Sequence, residues 1–410
     1  SGNILLSYKS SKIYRQPFGV IGIISPWNYP FTIPVHEIIL ALVSGNAVIL
    51  KTATQTQMVG RLIENAILSA DIPDNLFQYA NMSGRDAGSG FLDNGVDKLF
   101  FTGSVAVGKI LMKQASETLT PLSLELGGND AMIICEDADL DRATSGALWA
   151  GIQNSGQSCG GAERVYVHKS IYEDFLNLIK PKIESLRMGI DTDGNIEIGA
   201  MTTQKQVDTV RDHVDKAVRN GAKVYAQSPL PNDLQGKQFV PAMILTDVNH
   251  DMLLMRDETF GPVLGVMPYQ NFEEAVALAN DSHLGLTGSV WSRDRTKAEQ
   301  IGKRIQAGAI VINDHLMSHG MAETPWGGFK QSGIGRTHGE IGFEEMTQPQ
   351  VIIQDRLWFT KHALWWYSYS PGLYAGLRSI LHLQFGRKSK LKNLWITIKT
   401  AVRMFRPWKT

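Results

Sequence analysis

Lys98-Leu99-Phe100-Phe101-Thr102-Gly103-Ser104-Val105-Ala106-Val107-Gly108 reads as a short apolar strand that turns at a glycine into a helix over Val107 to Gln114. A continuous apolar run bounded by a glycine is how a strand buried on both faces looks in sequence. Similar strand–helix pairs lie to either side, without an internal repeat. Val20-Ile21-Gly22-Ile23-Ile24 precedes a helix from about Pro34 to Val43, and Asn46-Ala47-Val48-Ile49-Leu50-Lys51 precedes helix material from Gln57 to Ser69. Phe77-Gln78-Tyr79-Ala80 and Leu122-Ser123-Leu124 are further short strands, and a second alternation runs from Ala131 to about Val311. This alternation predicts an α/β chain with a mostly parallel sheet and helices on both faces. At the 98–108 turn, Gly103 and Gly108 would let N–H groups at the helix start cradle a pyrophosphate. The spacing is not G-x-G-x-x-G, so a plain strand-to-helix turn stands as the alternative.

The chain of 410 residues is long enough for about two to three domains with a large core. Its 43% apolar and 20% charged residues place it with globular rather than disordered chains. No apolar run reaches the length of a membrane-spanning helix. Ser1-Gly2-Asn3-Ile4-Leu5-Leu6 is not a secretory signal, and without an initiator methionine the chain is expected to begin inside a longer gene product. Two cysteines make no disulfide framework and suit a reducing, cytoplasmic setting. The net charge of zero hides a division: from Asp355 onward there are eleven Lys or Arg and one acid, leaving 29 bases against 39 acids before it. That tail also holds five of the nine tryptophans, a composition that points to an anionic partner.

Gly156-Gln157-Ser158-Cys159-Gly160-Gly161 places a cysteine among small and polar residues, whereas Met132-Ile133-Ile134-Cys135 buries the other in an apolar strand. A nucleophilic thiol needs such access, and a thioester made by it needs a base to direct water at it. Leu124-Glu125-Leu126-Gly127-Gly128 offers a lone carboxylate for that purpose. In isolation Cys159 could simply pack and Glu125 could be a solvated charge.

Pro26-Trp27-Asn28-Tyr29-Pro30, Phe101-Thr102-Gly103-Ser104, the Glu125 and Cys159 motifs, Glu258-Thr259-Phe260-Gly261-Pro262 and Pro325-Trp326-Gly327-Gly328-Phe329-Lys330-Gln331-Ser332-Gly333 occur in this order. Together they resemble the NAD(P)-dependent aldehyde dehydrogenase superfamily, with the match running from about Tyr14 to Gln354. The resemblance implies an aldehyde dehydrogenase-like fold: a Rossmann-type cofactor domain, an α/β catalytic domain and a small oligomerisation β-element. The expected division is 1–15 for the first part of that element, 16–127 for cofactor binding, 128–330 for catalysis, 331–354 for the returning strand and 355–410 for the tail. The family's N-terminal helices that cover the cofactor domain are absent from this sequence. The resemblance further implies Cys159 as nucleophile, Glu125 as the base that hydrolyses the thioester, and Asn28 with the Cys159 N–H as an oxyanion hole. It implies no metal. Trp27, Lys51, Thr54, Gly103, Ser104, Gly108, Glu258 and Phe260 would bind NAD or NADP, and Tyr29, Ser158, Gly160 and Trp326 would line the substrate pocket. The small Ser158 and Gly160 are expected to leave room beside the thiol.

One departure bears on the cofactor. Where many NAD-preferring relatives have Lys-Pro-Ser-Glu, this chain has Lys51-Thr52-Ala53-Thr54. A glutamate would repel a 2′-phosphate and a threonine would not, so NADP is expected to serve at least as well as NAD. A retained Glu125 favours the acid over acyl-coenzyme A as product. With no arginine placed to clamp a second carboxylate, an apolar or long-chain aldehyde is preferred over a semialdehyde acid. A non-catalytic structural or binding role is the alternative from another class.

A homo-oligomer, dimer or tetramer, is expected, and no nucleic acid, because the basic charge comes without a recognised module. In the tail, Leu391, Leu394, Trp395, Ile398, Val402 and Phe405 follow helical spacing, with Lys392, Lys399, Arg403 and Arg406 largely on another face. Trp358, Trp365, Trp366, Tyr367 and Tyr369 are interfacial residue types. This predicts an amphipathic helix that either contacts a membrane peripherally or docks on protein.

Overall fold

The structure, a computed structural model, describes residues 6–364, 366–386 and 390–406. Trp365 and the first five residues of the expected oligomerisation element lie outside that set. The chain forms two units, one from Pro17 to Thr347 and the other from the segments up to Gln16 and from Gln348 onward.

In the first unit, a six-stranded sheet runs Gly333–Ile334, Leu122–Glu125, Lys98–Thr102, Val20–Ile24, Ala47–Lys51, Phe77–Tyr79. All pairings are parallel except that of Gly333–Ile334. From Val20–Ile24 the chain first adds strands on one side, then returns to add Lys98–Thr102 on the other. That reversal is a topological switch point, and ligands of open α/β sheets bind at the carboxyl ends of the strands there. Those ends carry Pro26-Trp27-Asn28 and Thr102-Gly103-Ser104. Every residue of Lys98–Thr102 is buried, which explains its unbroken apolar run. The helix after it, Val105–Ala115, begins two residues earlier than the apolar period suggests. Ser104 sets the start, since its Oγ accepts from the Val107 N–H at 3.4 Å as an N-cap.

A seven-stranded sheet runs Ala309–Ile312, Thr287–Trp291, Asp130–Ile134, Ala162–His168, Val263–Tyr269, Met243–Thr246, Lys223–Gln227, parallel except at its last pairing. Successive residues of Asp130–Ile134 pack into apolar clusters on opposite faces, Ile133 into one and Met132 with Ile134 into the other. Cys135 follows that strand, 1% exposed in the same core.

The second unit pairs the strands Lys9–Pro17 and Thr347–Asp355, with Lys9 and Asp355 ion-paired at 2.6 Å. It also holds two helices, Pro371–Phe385 and Lys390–Ala401, where the sequence led us to expect one. The missed start has a local cause: Ser370 caps the first helix through the Leu373 N–H, and Pro371 sits just inside it. The helices meet where Gly376 admits Thr400, since a Cβ at Gly376 would fall 2.0 Å from the Thr400 Oγ1. The stripe Leu391, Trp395 and Ile398 does not make this contact and stays exposed.

Candidate active site

The thiol sits on a strained loop. After the helix Leu140–Ile152, three consecutive residues adopt left-handed conformations: Asn154 at φ 53°, Ser155 at φ 57° and Gly156 at φ 72°. Such conformations in non-glycine residues cost on the order of 1–3 kcal/mol each and persist where the surroundings over-determine them. Here Gln157, buried, donates from Nε2 to the Asn154 carbonyl at 3.0 Å and accepts from the Thr202 N–H at 2.9 Å. The Ser155 hydroxyl donates to the Gly199 carbonyl at 3.0 Å. Gly156 must be a glycine, because a Cβ there would lie 2.1 Å from the Gly261 carbonyl. Cys159, next along, is partly exposed.

Asn28 reaches this loop from the end of Val20–Ile24. Its Nδ2 donates to the Gln157 carbonyl at 3.2 Å, and Asn154 Nδ2 donates back to the Asn28 carbonyl at 3.0 Å. Glu125 ends the strand Leu122–Glu125, and the backbone after it passes directly beneath the thiol loop. A Cβ at Gly128 would stand 2.2 Å from the Cys159 carbonyl oxygen. The two motifs, far apart in sequence, are thus in backbone contact.

Cys159 borders three cavities. A cleft of about 520 Å³ is lined by Trp27, Asn28, Gly103, Ser104, Glu125, Glu258 and Phe260, together with Gln55 and Lys205. An apolar pocket of about 260 Å³ is lined by Tyr29, Ile33, Trp149, Ser158, Leu316, Met317 and Trp326. A third, of about 20 Å³, lies between Glu125 and a cluster of histidines. Burial, then the nearby Glu258, Glu125 and Asp130 carboxyls, push the Cys159 thiol up, while the Gly160 N–H donated to the sulfur pulls it down. Glu125 is raised well above the ordinary carboxylate range by burial and by Glu37, against the pull of Arg336. Glu258 is likewise raised by burial, then by Glu163. Neutral carboxyls repel a thiolate less than ionised ones, so these shifts offset one another.

The cleft gathers most of the expected cofactor residues. Trp27 and Phe260 meet edge to face at 5.5 Å, and Glu258 accepts from the Gly128 N–H at 2.9 Å. Lys51 and Thr54 lie outside its lining. Lys51 is 5% exposed at its strand end, held down by burial, with no ion pair among the described residues. Thr54 is exposed at the start of a single turn, Thr54–Thr56. Gly108 does not reach the cleft either: the space of its missing side chain belongs to Leu126, which would lie 2.8 Å from a Cβ. It serves helix–sheet packing. Around the pocket, Tyr29 donates to Gln153 Oε1 at 2.6 Å, Trp326 is buried and the Ser158 hydroxyl is buried without a partner. Gly160 departs from expectation, since Leu316 and Trp326 already fill the space where its side chain would be.

Several supporting groups gave no motif in the sequence. Glu163 accepts from the Thr259 and Phe260 N–H groups, the latter at 2.7 Å, and from Asn129 Nδ2 at 2.8 Å, fixing Phe260 at φ 52°. Burial pushes it up to about 7. His315, lowered to about 4 by burial, is neutral and donates from Nε2 to the Gly160 carbonyl at 3.0 Å. Trp149, on the helix that leads into the thiol loop, is the pocket residue that could have been anticipated from its position.

Comparison with known proteins matches residues 2–352 to the aldehyde dehydrogenase family. A 4,4'-diapolycopene aldehyde oxidase from Methylomonas sp. is 40% identical over 93% of this chain and 71% of its own length. A Mycobacterium ulcerans protein provisionally named an NADP+ succinate-semialdehyde dehydrogenase is 37% identical over 83% of this chain, which spans 66% of that relative. The crystal structure of Staphylococcus aureus betaine aldehyde dehydrogenase with NAD+ is 31% identical and superposes with a TM-score of 0.83, covering 88% of this chain and 72% of that one. The chain belongs to the aldehyde dehydrogenase family, oxidoreductases that use NAD or NADP.

Proposed function

We propose that the protein oxidises an apolar aldehyde to its carboxylic acid, with Cys159 as nucleophile and Glu125 as base. The observation that carries this reading is the position of Cys159, shared by a dinucleotide-sized cleft and an apolar pocket, with Glu125 lining the cleft beside it. The Cys159 sulfur attacks the aldehyde carbonyl, forming a C–S bond and a tetrahedral oxyanion. Asn28 Nδ2 and the Cys159 N–H stabilise that charge, and losing such a donor costs about 10²–10³ in rate. Collapse of the oxyanion to a thioester breaks the C–H bond, and its hydrogen would leave with the electron pair to the nicotinamide when that is bound. Glu125 then removes a proton from water, whose oxygen attacks the thioester; the C–S bond breaks, and acid and thiol are released.

The cleft fits the family's cofactor. Gly103 and Ser104 open a helix whose N–H groups suit a pyrophosphate, Glu258 suits ribose hydroxyls, and Trp27 with Phe260 forms an aromatic wall. Buried Lys51, with no anionic partner among the described residues, suits the adenosine ribose. When bound, the nicotinamide supplies the hydride acceptor.

Among the described residues no arginine lines the pocket, which favours a neutral chain. The name of the 40% identical relative gives diapolycopene aldehyde as its substrate and supports the same choice. Burst-phase and steady-state kinetics with saturated aldehydes of increasing length, succinate semialdehyde and both cofactors test this. Each methylene buried contributes about 0.8 kcal/mol, so kcat/KM should rise by up to about fourfold per carbon until the pocket is full. NADP should match or exceed NAD, since Thr54 puts no carboxylate against a 2′-phosphate. A preference for succinate semialdehyde overturns the substrate, and a strong NAD preference overturns the cofactor reading.

The exposed strands Lys9–Pro17 and Thr347–Asp355, with Ile13 and Ile353 facing solvent, support homo-oligomerisation through this ribbon. Free Cys135 and Cys159 support a reducing, cytoplasmic setting. No helix among the described residues is long and apolar enough to cross a membrane. The helical pair instead exposes Phe385, Leu391 and Trp395, with Lys399 over the Trp395 ring, and Trp358 is exposed ahead of it, a composition suited to anionic lipid. Each basic residue near such a membrane contributes about 1 kcal/mol. Sedimentation with phosphatidylserine vesicles should bind the intact chain and lose it when residues 385–410 are removed. Equal binding by both forms, or none by either, removes the membrane contact through residues 385–410.

A further inference from the structure

The cavity of about 20 Å³ shares Thr102, Glu125 and Cys159 with the cleft and is bordered beyond them by Glu37, His36, His319 and His338. A volume above about 10–15 Å³ of this kind admits a water when two to four polar groups face it. Here they do. Glu37 Oε2, Glu125 Oε2, His36 Nε2 and His338 Nδ1 are all buried without a hydrogen-bond partner in the protein. Unpaired buried polar atoms are rare, and four around one small cavity mark a site where protons or water are handled. The carboxyl of Glu37, on the helix Thr32–Val43, is 3% exposed, and no cation is paired with it among the described residues. A stability role explains it poorly, because an unpaired buried acid destabilises a fold.

The imidazoles continue the chain of groups outward. The His36 ring lies tilted against that of His338 with centroids 3.7 Å apart, and His319 meets His338 edge to face at 5.1 Å. His338 and His319 are pushed down to about 3 and about 4, first by burial and then by their neighbours, so both are neutral. Half-buried His36 is lowered less and is the imidazole nearest to its ordinary range. Glu37, pushed up to about 8 by burial, can gain and lose a proton near neutrality.

We propose that Glu37 is the proton-relay residue for thioester hydrolysis, taking from Glu125, through a water in this cavity, the proton that Glu125 removes from the attacking water. It rests on the hydrolytic reading above. The attacking water's O–H bond breaks and its proton moves to Glu125. Glu125 then re-ionises as a proton crosses to Glu37, which passes it to His36 and solvent. No electrons leave the acyl group in this sequence. Glu37 touches no reacting atom and acts through Glu125 as a positioning residue.

The test compares Glu37→Gln and Glu37→Asp with the parent enzyme in the burst and steady-state phases of NAD(P)H formation. Glu37→Gln keeps the volume but cannot carry a proton. Its burst should keep parental rate and amplitude while kcat falls about 10- to 100-fold, within the range of acid–base contributions. Glu37→Asp should recover most of kcat, since it restores an ionisable group. A parental kcat in Glu37→Gln overturns the relay, and so does equal loss of kcat in both variants. Loss of the burst in Glu37→Gln, with the steady rate falling in proportion, assigns the residue to packing and also overturns it. NAD(P)H formation by the parent enzyme without release of the carboxylic acid instead refutes the underlying hydrolytic reading.

Discussion

Glu125→Gln should form an acyl-enzyme at close to the parental rate and then almost stop. The substitution keeps the shape of a buried side chain whose Oε2 has no partner in the protein, so packing is preserved. What is lost is the capacity to take a proton from water. General base catalysis supplies about 10²–10⁴ in rate, and kcat should fall by that factor. The burst should persist because attack by Cys159 and loss of hydride precede the hydrolytic step. The pH profile should change as well. Glu125 works ionised, and burial with the Glu37 charge raises it well above the ordinary carboxylate range. Deacylation in the parent should therefore rise with pH across a region above that range, and the variant should lose this rise. An unchanged profile and rate would remove Glu125 from the mechanism.

Cys159→Ser should abolish turnover and burst together, with kcat down by about 10⁴-fold or more, the scale seen when a nucleophile is removed. A serine hydroxyl is nearly isosteric but far harder to ionise, and the surroundings already disfavour an anion at this position through burial and three carboxyls. The cleft is otherwise untouched, so NAD(P) affinity and thermal midpoint should stay close to the parent. Cys135→Ser is the control. That thiol lies in the core beside the strand Asp130–Ile134, burial pushes it up to about 11, and its replacement should affect stability rather than chemistry.

The fold was legible where local signals agreed. The runs 99–101 and 21–24 are buried on both faces, so they carry no charged or polar side chain and the strands show. Ser104 shifted one helix start by two residues, and Ser370-Pro371 began a helix that the hydrophobic period did not reveal. The proposed reacting groups stood out because Cys159 and Glu125 sit in short motifs with few alternatives, and the structure brings both to one cleft. The groups that hold them were not. Gln157, Glu163 and His315 act through contacts with residues 45, 96 and 155 positions away, which no local pattern records. Gly160 misled for a related reason: a glycine can mark space in a pocket or close approach of a neighbour, and here Leu316 and Trp326 take the space. Gly108 belongs to the same group, packing on Leu126 rather than facing the cleft.

The claim at the centre of this account is a covalent thioester on Cys159 that Glu125 resolves. Intact-mass and peptide mass spectrometry of Glu125→Gln, quenched in acid after mixing with a medium-chain aldehyde and NAD(P), reads it directly. The account predicts one added acyl group per chain, located on the peptide carrying Cys159 and absent from Cys159→Ser. An unmodified chain despite NAD(P)H release, or an acyl group on Cys135 instead, would contradict it.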